Sequence, residues 1–215
     1  MCTGRVDIAF IMRAFKNGAD GVFIGGCWPG ECHYVTEGNF DALGNMHLSR
    51  MLLKKIGINP DRLRLEWISA SEGMRYAEVM NDFGKKLKEM GPLGIGEGLD
   101  PEMLELKMDA VNKLAPYLKL VERERLRVPV KKEELYKEFF ESEEVQKLFN
   151  ELVVDKLEMS EILLLLRNHP MTTAEIGEKL RMDAGNVSKH LKSASRRGLA
   201  AYDETIKRYA LVPAA

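Results

Sequence analysis

Apolar residues near the start of the chain fall at helical spacing: Ile8, Ile11, Met12 and Phe15 share one face, and Asp7 stands where a cap belongs. The pattern predicts a helix over residues 5–17, ended by Gly18-Ala19-Asp20-Gly21. Val22-Phe23-Ile24 is a short apolar run suited to a buried strand, stopped at Gly25-Gly26-Cys27. Residues 27–39, with Pro29, Gly30, Gly38 and Asn39, read as a loop. A second helix is expected over residues 44–56, with Met51, Leu52 and Ile56 inward. Leu63, Leu65, Trp67 and Ile68 mark a second strand. Ser69 or Ser71 is placed to cap a long helix over residues 72–90, with Glu72 in its first turn.

Strands alternating with helices predict an α/β layer with a partial parallel sheet. Two strands are too few for a self-sufficient sheet of that kind. No strand feeds the first helix, since the chain opens at Met1-Cys2. The expectation is that part of the α/β domain is missing or is completed by another chain, with an internal Met1 in a longer frame as the alternative.

Gly91-Pro92-Leu93-Gly94-Ile95-Gly96-Glu97-Gly98 reads as a boundary. It lacks the Lys-Ser/Thr of a phosphate loop, and no strand leads into it. Asp100-Pro101-Glu102 starts a helix, Asp as cap and Pro at the first position, running to about Leu120 with a kink expected at Pro116. Residues 131–150 read as charged and helical, with Lys131, Lys132, Glu133 and Glu134 as a solvated face. Further on, Ser160 to Asn168 is an apolar helix broken by Pro170. Thr172 or Thr173 caps a short helix over 174–180, and Asp183 or Asn186 opens another over 187–197, ending at Gly198. Residues 199–202 and 208–212 alternate as two strands. Three helices followed by a hairpin make a winged helix-turn-helix pattern. The chain divides on this reading into an α/β domain (1–91), a helical linker (92–150) and a winged helix-turn-helix domain (151–215).

Composition narrows the class. The 215 residues are 45% hydrophobic and 30% charged, an ordinary globular balance. A net charge of −1 gives no global field toward nucleic acid or an anionic membrane. No apolar run of about 18 residues suggests a membrane span, and the N-terminus shows no signal segment. A cytoplasmic location and no membrane partner are expected.

The three cysteines, Cys2, Cys27 and Cys32, all lie in the first 32 residues. An odd, clustered set does not suit a secreted disulfide framework. It suits a metal or redox site, or thiols packed as small hydrophobes. Cys27-Trp28-Pro29-Gly30-Glu31-Cys32-His33-Tyr34 follows the C-terminal end of the first strand, where ligands bind in open α/β folds. Pro29 and Gly30 hold a tight turn, so two thiolates can face one centre. Cys2 stands at the start of the first helix, whose positive end favours a thiolate. Three thiolates are one short of the four that an ordinary iron–sulfur cluster takes. His33 is a candidate for the fourth position, as in mixed His/Cys clusters, or an ordinary loop residue. Trp28 either covers such a site or anchors the loop, and Arg5 either balances its charge or lies on the surface.

Several ordered motifs resemble the delta-subunit family of methyl-viologen-reducing hydrogenase. They are Cys2-Thr3-Gly4-Arg5-Val6-Asp7, Gly18-Ala19-Asp20-Gly21-Val22, Gly26-Cys27, Pro29-Gly30, Cys32-His33-Tyr34, Gly38-Asn39 and Leu65-Glu66-Trp67-Ile68-Ser69-Ala70-Ser71-Glu72-Gly73, together spanning roughly residues 2–91. The resemblance implies a [2Fe–2S] cluster held by cysteines, with Cys2, Cys27 and Cys32 as its iron ligands here. It also implies a non-catalytic subunit of an oxidoreductase complex. Such a subunit relays electrons from a hydrogenase or formate dehydrogenase to a heterodisulfide-reductase-type flavoprotein, where bifurcation occurs at the reductase's flavin. The family carries a further cysteine-containing segment ahead of the Cys-Thr-Gly-Arg motif. The cluster is therefore expected to be incomplete here, shared with another chain, or lost.

Residues 159–215 hold nine Lys/Arg against six Asp/Glu. They resemble winged-helix regulators of the arsenic-repressor class. The helix around Asn186, Ser188, Lys189, His190, Lys192 and Ser193 would be the reading helix, with Ser188, Lys189 and Lys192 reaching bases or phosphates. Winged helices also dock proteins. Protein docking is the expectation here and DNA the alternative partner. The rival functions are a redox-responsive transcription regulator and a cluster-free docking subunit.

Overall fold

The computed structural model describes residues 2–212, so Met1 lies outside the described residues. The chain forms two compact units that meet between Leu148 and Phe149.

In the first unit α1 (Ile8–Lys16) follows a 3-10 turn at Thr3–Arg5. Asp7 caps α1 by accepting the Phe10 N–H at 3.2 Å, and Ile8, Ile11, Met12 and Phe15 are buried as their spacing requires. β1 (Val22–Gly26) pairs in parallel with β2 (Leu63–Trp67), in register from Val22 opposite Leu63 to Gly26 opposite Trp67. The crossover between them carries α2 (Gly38–Lys55), which buries Leu48, Leu52 and Leu53. α2 begins six residues before the expected position. Gly38 and Asn39 read as loop formers in the sequence, but here they open the helix.

α3 (Gly73–Met90) shows solvent most of its surface and buries Phe83. Neither Ser69 nor Ser71 caps it. Their hydroxyls meet each other at 3.3 Å, while Glu72 reaches back to the Ser69 N–H.

The expected linker belongs to this unit. Glu97 accepts from Arg62 Nε at 2.6 Å and from the Gly94 N–H at 2.9 Å, and Asp20 accepts the Leu93 N–H at 2.7 Å. These bonds pin the Gly-rich stretch to the α/β layer. α4 (Pro101–Arg125) is capped by Asp100, contains Pro116 within its length, and ends five residues beyond the expected Leu120. It buries Met108, Val111, Leu118 and Val121, and Lys16 pairs with Asp109 at 2.5 Å. α5 (Glu133–Glu141) stacks Tyr136 on Phe40 and Phe140 on His47, with centroids 5.6 and 5.2 Å apart. α6 (Glu143–Phe149) follows. Residues 92–148 fall in the first unit, where α4 and α5 bury their apolar faces.

Of the solvated face expected at 131–134, Lys132, Glu133 and Glu134 are exposed and Lys131 is half-buried. Lys131 donates to the Tyr136 hydroxyl at 2.8 Å, and Glu133 accepts the Trp67 indole N–H at 3.0 Å.

The second unit has a π-helical turn at Asn150–Val154, then α7 (Asp155–Asn168), α8 (Thr173–Leu180), α9 (Ala184–Arg196) and the antiparallel pair β3 (Ala200–Asp203) and β4 (Arg208–Leu211). A bridge from Met171 to Tyr209 adds a third short strand position. Thr172 and Glu175 form a reciprocal capping box at α8, and Asp183 caps α9 by accepting the Asn186 N–H at 3.0 Å. This is a winged helix-turn-helix. The whole is an α/β layer with a small parallel sheet, a helical region packed on it, and the winged helix. Among the described residues no helix is long and apolar enough to cross a membrane.

Candidate metal centre

Three pieces of the first unit converge beyond the C-terminal end of β1. They are the 3-10 turn at Thr3–Arg5, the loop after β1, and the N-terminus of α2. Thr3 Oγ1 donates to the Gly25 carbonyl at 2.8 Å, which ties the start of the chain to the strand end. Asn39 Nδ2 donates to the Cys27 carbonyl at 2.5 Å, which ties the loop to α2. Trp28 donates its indole N–H to Glu72 at 2.7 Å and lies under the Arg75 guanidinium, 5.0 Å from the ring centre. Trp28 is therefore the loop's anchor to α3. Arg5 is exposed.

These contacts bring Cys2 Sγ within 3.8 Å of Cys32 Sγ across thirty residues of sequence. Two thiolates on one tetrahedral metal with bonds of about 2.3 Å stand about 3.8 Å apart, so this pair matches the edge of such a site. Cys27 approaches Cys32 from the other end of the same loop. Cys32 is buried, and Cys2 and Cys27 are half-buried.

Gly38 completes the cradle. A Cβ there would stand 2.2 Å from Cys32 Sγ and 3.1 Å from Cys2 Sγ, so only glycine lets the helix start this close to both sulfurs. Gly4 is needed for the same approach, since its Cβ would meet the Gly38 carbonyl oxygen at 2.7 Å.

The electrostatics divide the thiols. Burial opposes ionisation of Cys32, but N–H groups of Tyr34 and Asn39 and the neighbouring thiols outweigh it and hold its pKa below the usual thiol value. Burial raises the Cys27 pKa, and the adjacent Cys32 raises it further. An iron–sulfur cluster fits this donor set: soft thiolates, a tetrahedral edge, and backbone N–H groups aimed at sulfur. His33 follows Cys32 directly in the chain. It is exposed and packs edge-on to Tyr34, with centroids 5.2 Å apart.

Residues 1–91 match the family described as methyl-viologen-reducing hydrogenase, delta subunit. Over 97 residues the chain is 48% identical to the vhc iron-sulfur subunit of the F420-non-reducing hydrogenase of Methanococcus voltae, covering 45% of this chain and 67% of that protein. The chain belongs to the delta-subunit family of methyl-viologen-reducing hydrogenase. It is 53% identical over 91 residues to the iron-sulfur subunit of the F420-non-reducing hydrogenase of Archaeoglobus profundus, covering 42% of this chain and 66% of that one. The match thus spans about two thirds of the length of these hydrogenase relatives. The chain is also 49% identical over 94 residues to a subunit of the ferredoxin/F420H2-dependent CoB-CoM heterodisulfide reductase of Methanosarcina acetivorans, covering 44% of this chain and 12% of that protein. In the second unit residues 158–200 match the bacterial regulatory protein arsR family.

In the winged helix the structure separates the residues expected to face a ligand. Lys192 is exposed. Lys189 is exposed too, but it donates to both oxygens of Asp155 at 2.9 and 3.1 Å. His190 turns inward and is 3% exposed, meeting Glu158 at 3.0 Å. The sequence reading missed that inward turn, although His190 lies in phase with the buried Val187, Leu191 and Ala194.

Proposed function

We propose that this chain is an electron-transfer subunit carrying a [2Fe–2S] cluster on Cys2, Cys27 and Cys32. In this reading it relays electrons between a hydrogenase or formate dehydrogenase and a heterodisulfide-reductase-type flavoprotein. The observation that carries the proposal is the 3.8 Å approach of Cys2 and Cys32 above Gly38, with Cys27 on the same loop. Such a cluster takes up and releases one electron at a time. The chain's own residues set its surroundings. Gly4 and Gly38 make the space, the Tyr34 and Asn39 N–H groups favour negative charge at Cys32, and Trp28 with Glu72 fixes the loop. Three thiolates leave one of four cluster positions to a further donor.

The relatives supply the partners in this reading. One set is named as hydrogenase iron-sulfur subunits, and another carries the matching segment within a much longer heterodisulfide reductase polypeptide.

The test is iron and acid-labile sulfide in the anaerobically purified complex. Cys2→Ser, Cys27→Ser and Cys32→Ser should each lose cluster and its visible absorbance. Full iron in the Cys27 and Cys32 variants would sink the assignment.

The arsR-family match favours a second reading, a redox-responsive DNA-binding regulator. It requires salt-sensitive, sequence-specific DNA binding by the full chain that changes with the state of the cysteines. Retention of cluster without such binding leaves the first reading.

A further inference from the structure

Residues 29–37 form one exposed run around a buried sulfur: every residue in it is exposed except Cys32. Two turns hold the run in shape. The Glu31 N–H donates to the Trp28 carbonyl at 3.0 Å, and the Glu37 N–H donates to the Tyr34 carbonyl at 3.3 Å. The second turn presents two apolar side chains to solvent, Tyr34 at 55% exposure and Val35 at 65%. The His33 ring packs edge-on against Tyr34 and braces it.

Tyr34 reaches from the thiols to solvent. A Cβ placed on Gly38 would meet Cys32 Sγ at 2.2 Å, Cys2 Sγ at 3.1 Å and Tyr34 Cβ at 3.5 Å. One point at the start of α2 thus touches both sulfurs and the root of the exposed ring. The Tyr34 backbone N–H also bonds the Cys32 sulfur. A loop that only had to hold three thiols has no need of a tyrosine and a valine in water, where both leave apolar area unburied.

We infer that Tyr34 and Val35 are the electron port of this chain, the surface on which the flavoprotein partner docks. The inference rests on the reading of Cys2, Cys27 and Cys32 as cluster ligands. Charge narrows the partner's surface. Residues 29–37 include Glu31 and Glu37 and neither lysine nor arginine. The matching surface is therefore apolar at its centre and basic at its rim. Tyrosine suits the centre, because it covers a large area while only two torsions are immobilised. One electron crosses at a time: the thiolate-held centre loses it, the partner's flavin gains it, and no bond forms or breaks.

The experiment reduces the full, cluster-loaded chain with dithionite. It is then mixed anaerobically with the oxidised flavoprotein that co-purifies with it, or with methylene blue, a small oxidant that needs no docking surface. Loss of the reduced spectrum gives the rate, and titration of the oxidised chain with the flavoprotein gives the affinity. Tyr34→Ala and Val35→Lys should each lower both by about tenfold or more, the loss expected of a central interface side chain. Methylene blue should oxidise the variants at the parental rate. Glu31→Gln with Glu37→Gln should flatten the salt dependence of the flavoprotein rate. Tyr34→Ala alters the packing at Gly38 and risks iron loss. Val35 is the more exposed of the two, so Val35→Lys decides the matter alone, and the titration reads affinity whether or not iron is retained. Parental affinity and rate in Val35→Lys overturn the port, as does equal slowing with the dye and with the flavoprotein. A parent chain without iron sinks the cluster reading itself, whereas parental iron with docking indifferent to these residues sinks the port alone.

Discussion

Glu72 Oε2 accepts the indole N–H of Trp28 and the backbone N–H of Ser69, both at 2.7 Å. One oxygen thereby joins the cysteine loop to the segment that enters α3. The Ser69 N–H contributes most and the Trp28 indole next in holding the Glu72 pKa below the usual carboxylate value. Arg75 closes the arrangement over the other face of the loop anchor, 5.0 Å from the Trp28 ring centre. The residues between Cys27 and Cys32 are thus fixed from outside the loop, which keeps two thiols in place without a disulfide.

The position of Gly38 gives a prediction about cluster assembly that needs no change at a thiol. Gly38→Ala adds a methyl group 2.2 Å from Cys32 Sγ. It should lower the iron and sulfide content of the purified complex severely while the far-ultraviolet circular dichroism remains that of the parent. Gly73→Ala is the control, since nothing stands within 4 Å of a Cβ there. Its iron content should be unchanged. Parental iron in the Gly38 variant would show that the two sulfurs do not need the space.

A second prediction concerns the Gly-rich stretch. Arg62 is fully buried, and besides Glu97 it donates to the carbonyls of Asp20, Gly91 and Pro92 at 2.9, 2.9 and 3.3 Å. Glu97→Ala leaves that guanidinium buried without its counter-charge. The cost should be about 3–5 kcal/mol, the range for breaking a buried pair from one side. Denaturant unfolding of the first unit measures it. A loss comparable to that of an exposed pair would mean that the backbone carbonyls around Arg62 suffice.

Much of the fold was legible wherever one rule of period or capping acted alone. Asp7 and Asp100 cap the helices that their positions announced, and of the alternatives left open Thr172 and Asp183 are the caps, not Thr173 and Asn186. What stayed hidden depended on contacts between distant segments. Gly38 and Asn39 carry loop propensity, and only the closeness of Cys2 and Cys32 explains a helix starting there. Glu133 is the surface charge that its sequence suggested, but the indole N–H that Trp67 donates to it from 66 residues away was not legible. His190 is a different kind of miss. Its phase with Val187 and Leu191 pointed inward, and its polar type was given more weight than its phase. For the metal centre, three clustered thiols were visible, but the pairing of Cys2 with Cys32 was not.

The winged helix should be sensitive to acid through Glu175. The Thr172 N–H, then Arg208, whose Nη1 lies 2.6 Å from its carboxylate, draw its pKa down to about 2. A folded value below the ordinary 4.5 means that the unfolded chain binds the proton more readily. The contribution is then fully present above pH 4.5 and is lost as pH falls toward about 2. Because the carboxylate is exposed to solvent, the effect should be modest. Thermal unfolding followed across that window should show a smaller acid loss in Glu175→Gln than in the parent. Identical slopes would remove Glu175 from the account.

The last prediction separates a docking helix from a reading helix. The sequence singled out Lys189 and Lys192 as the decisive pair, but Lys189 is engaged by Asp155. Lys192 and Arg196 are exposed on α9 and hold no salt bridge to an acidic group among the described residues, so they are the better pair to reverse. A docking surface that uses them should lose complex assembly when both become Glu, because like charges then face the partner's acidic groups. Iron content should stay at the parental value, since the thiols belong to the other unit. A reading helix gives the opposite result. The complex assembles normally, and a sequence-specific, salt-sensitive DNA complex present in the parent disappears. The two outcomes are distinguished by co-purification of the flavoprotein on one side and by binding to duplex DNA at several salt concentrations on the other. We expect the first, because the segment with the strongest family likeness joins this chain to oxidoreductase subunits and not to free regulators. Nanomolar, sequence-specific DNA binding at physiological salt would reverse that expectation.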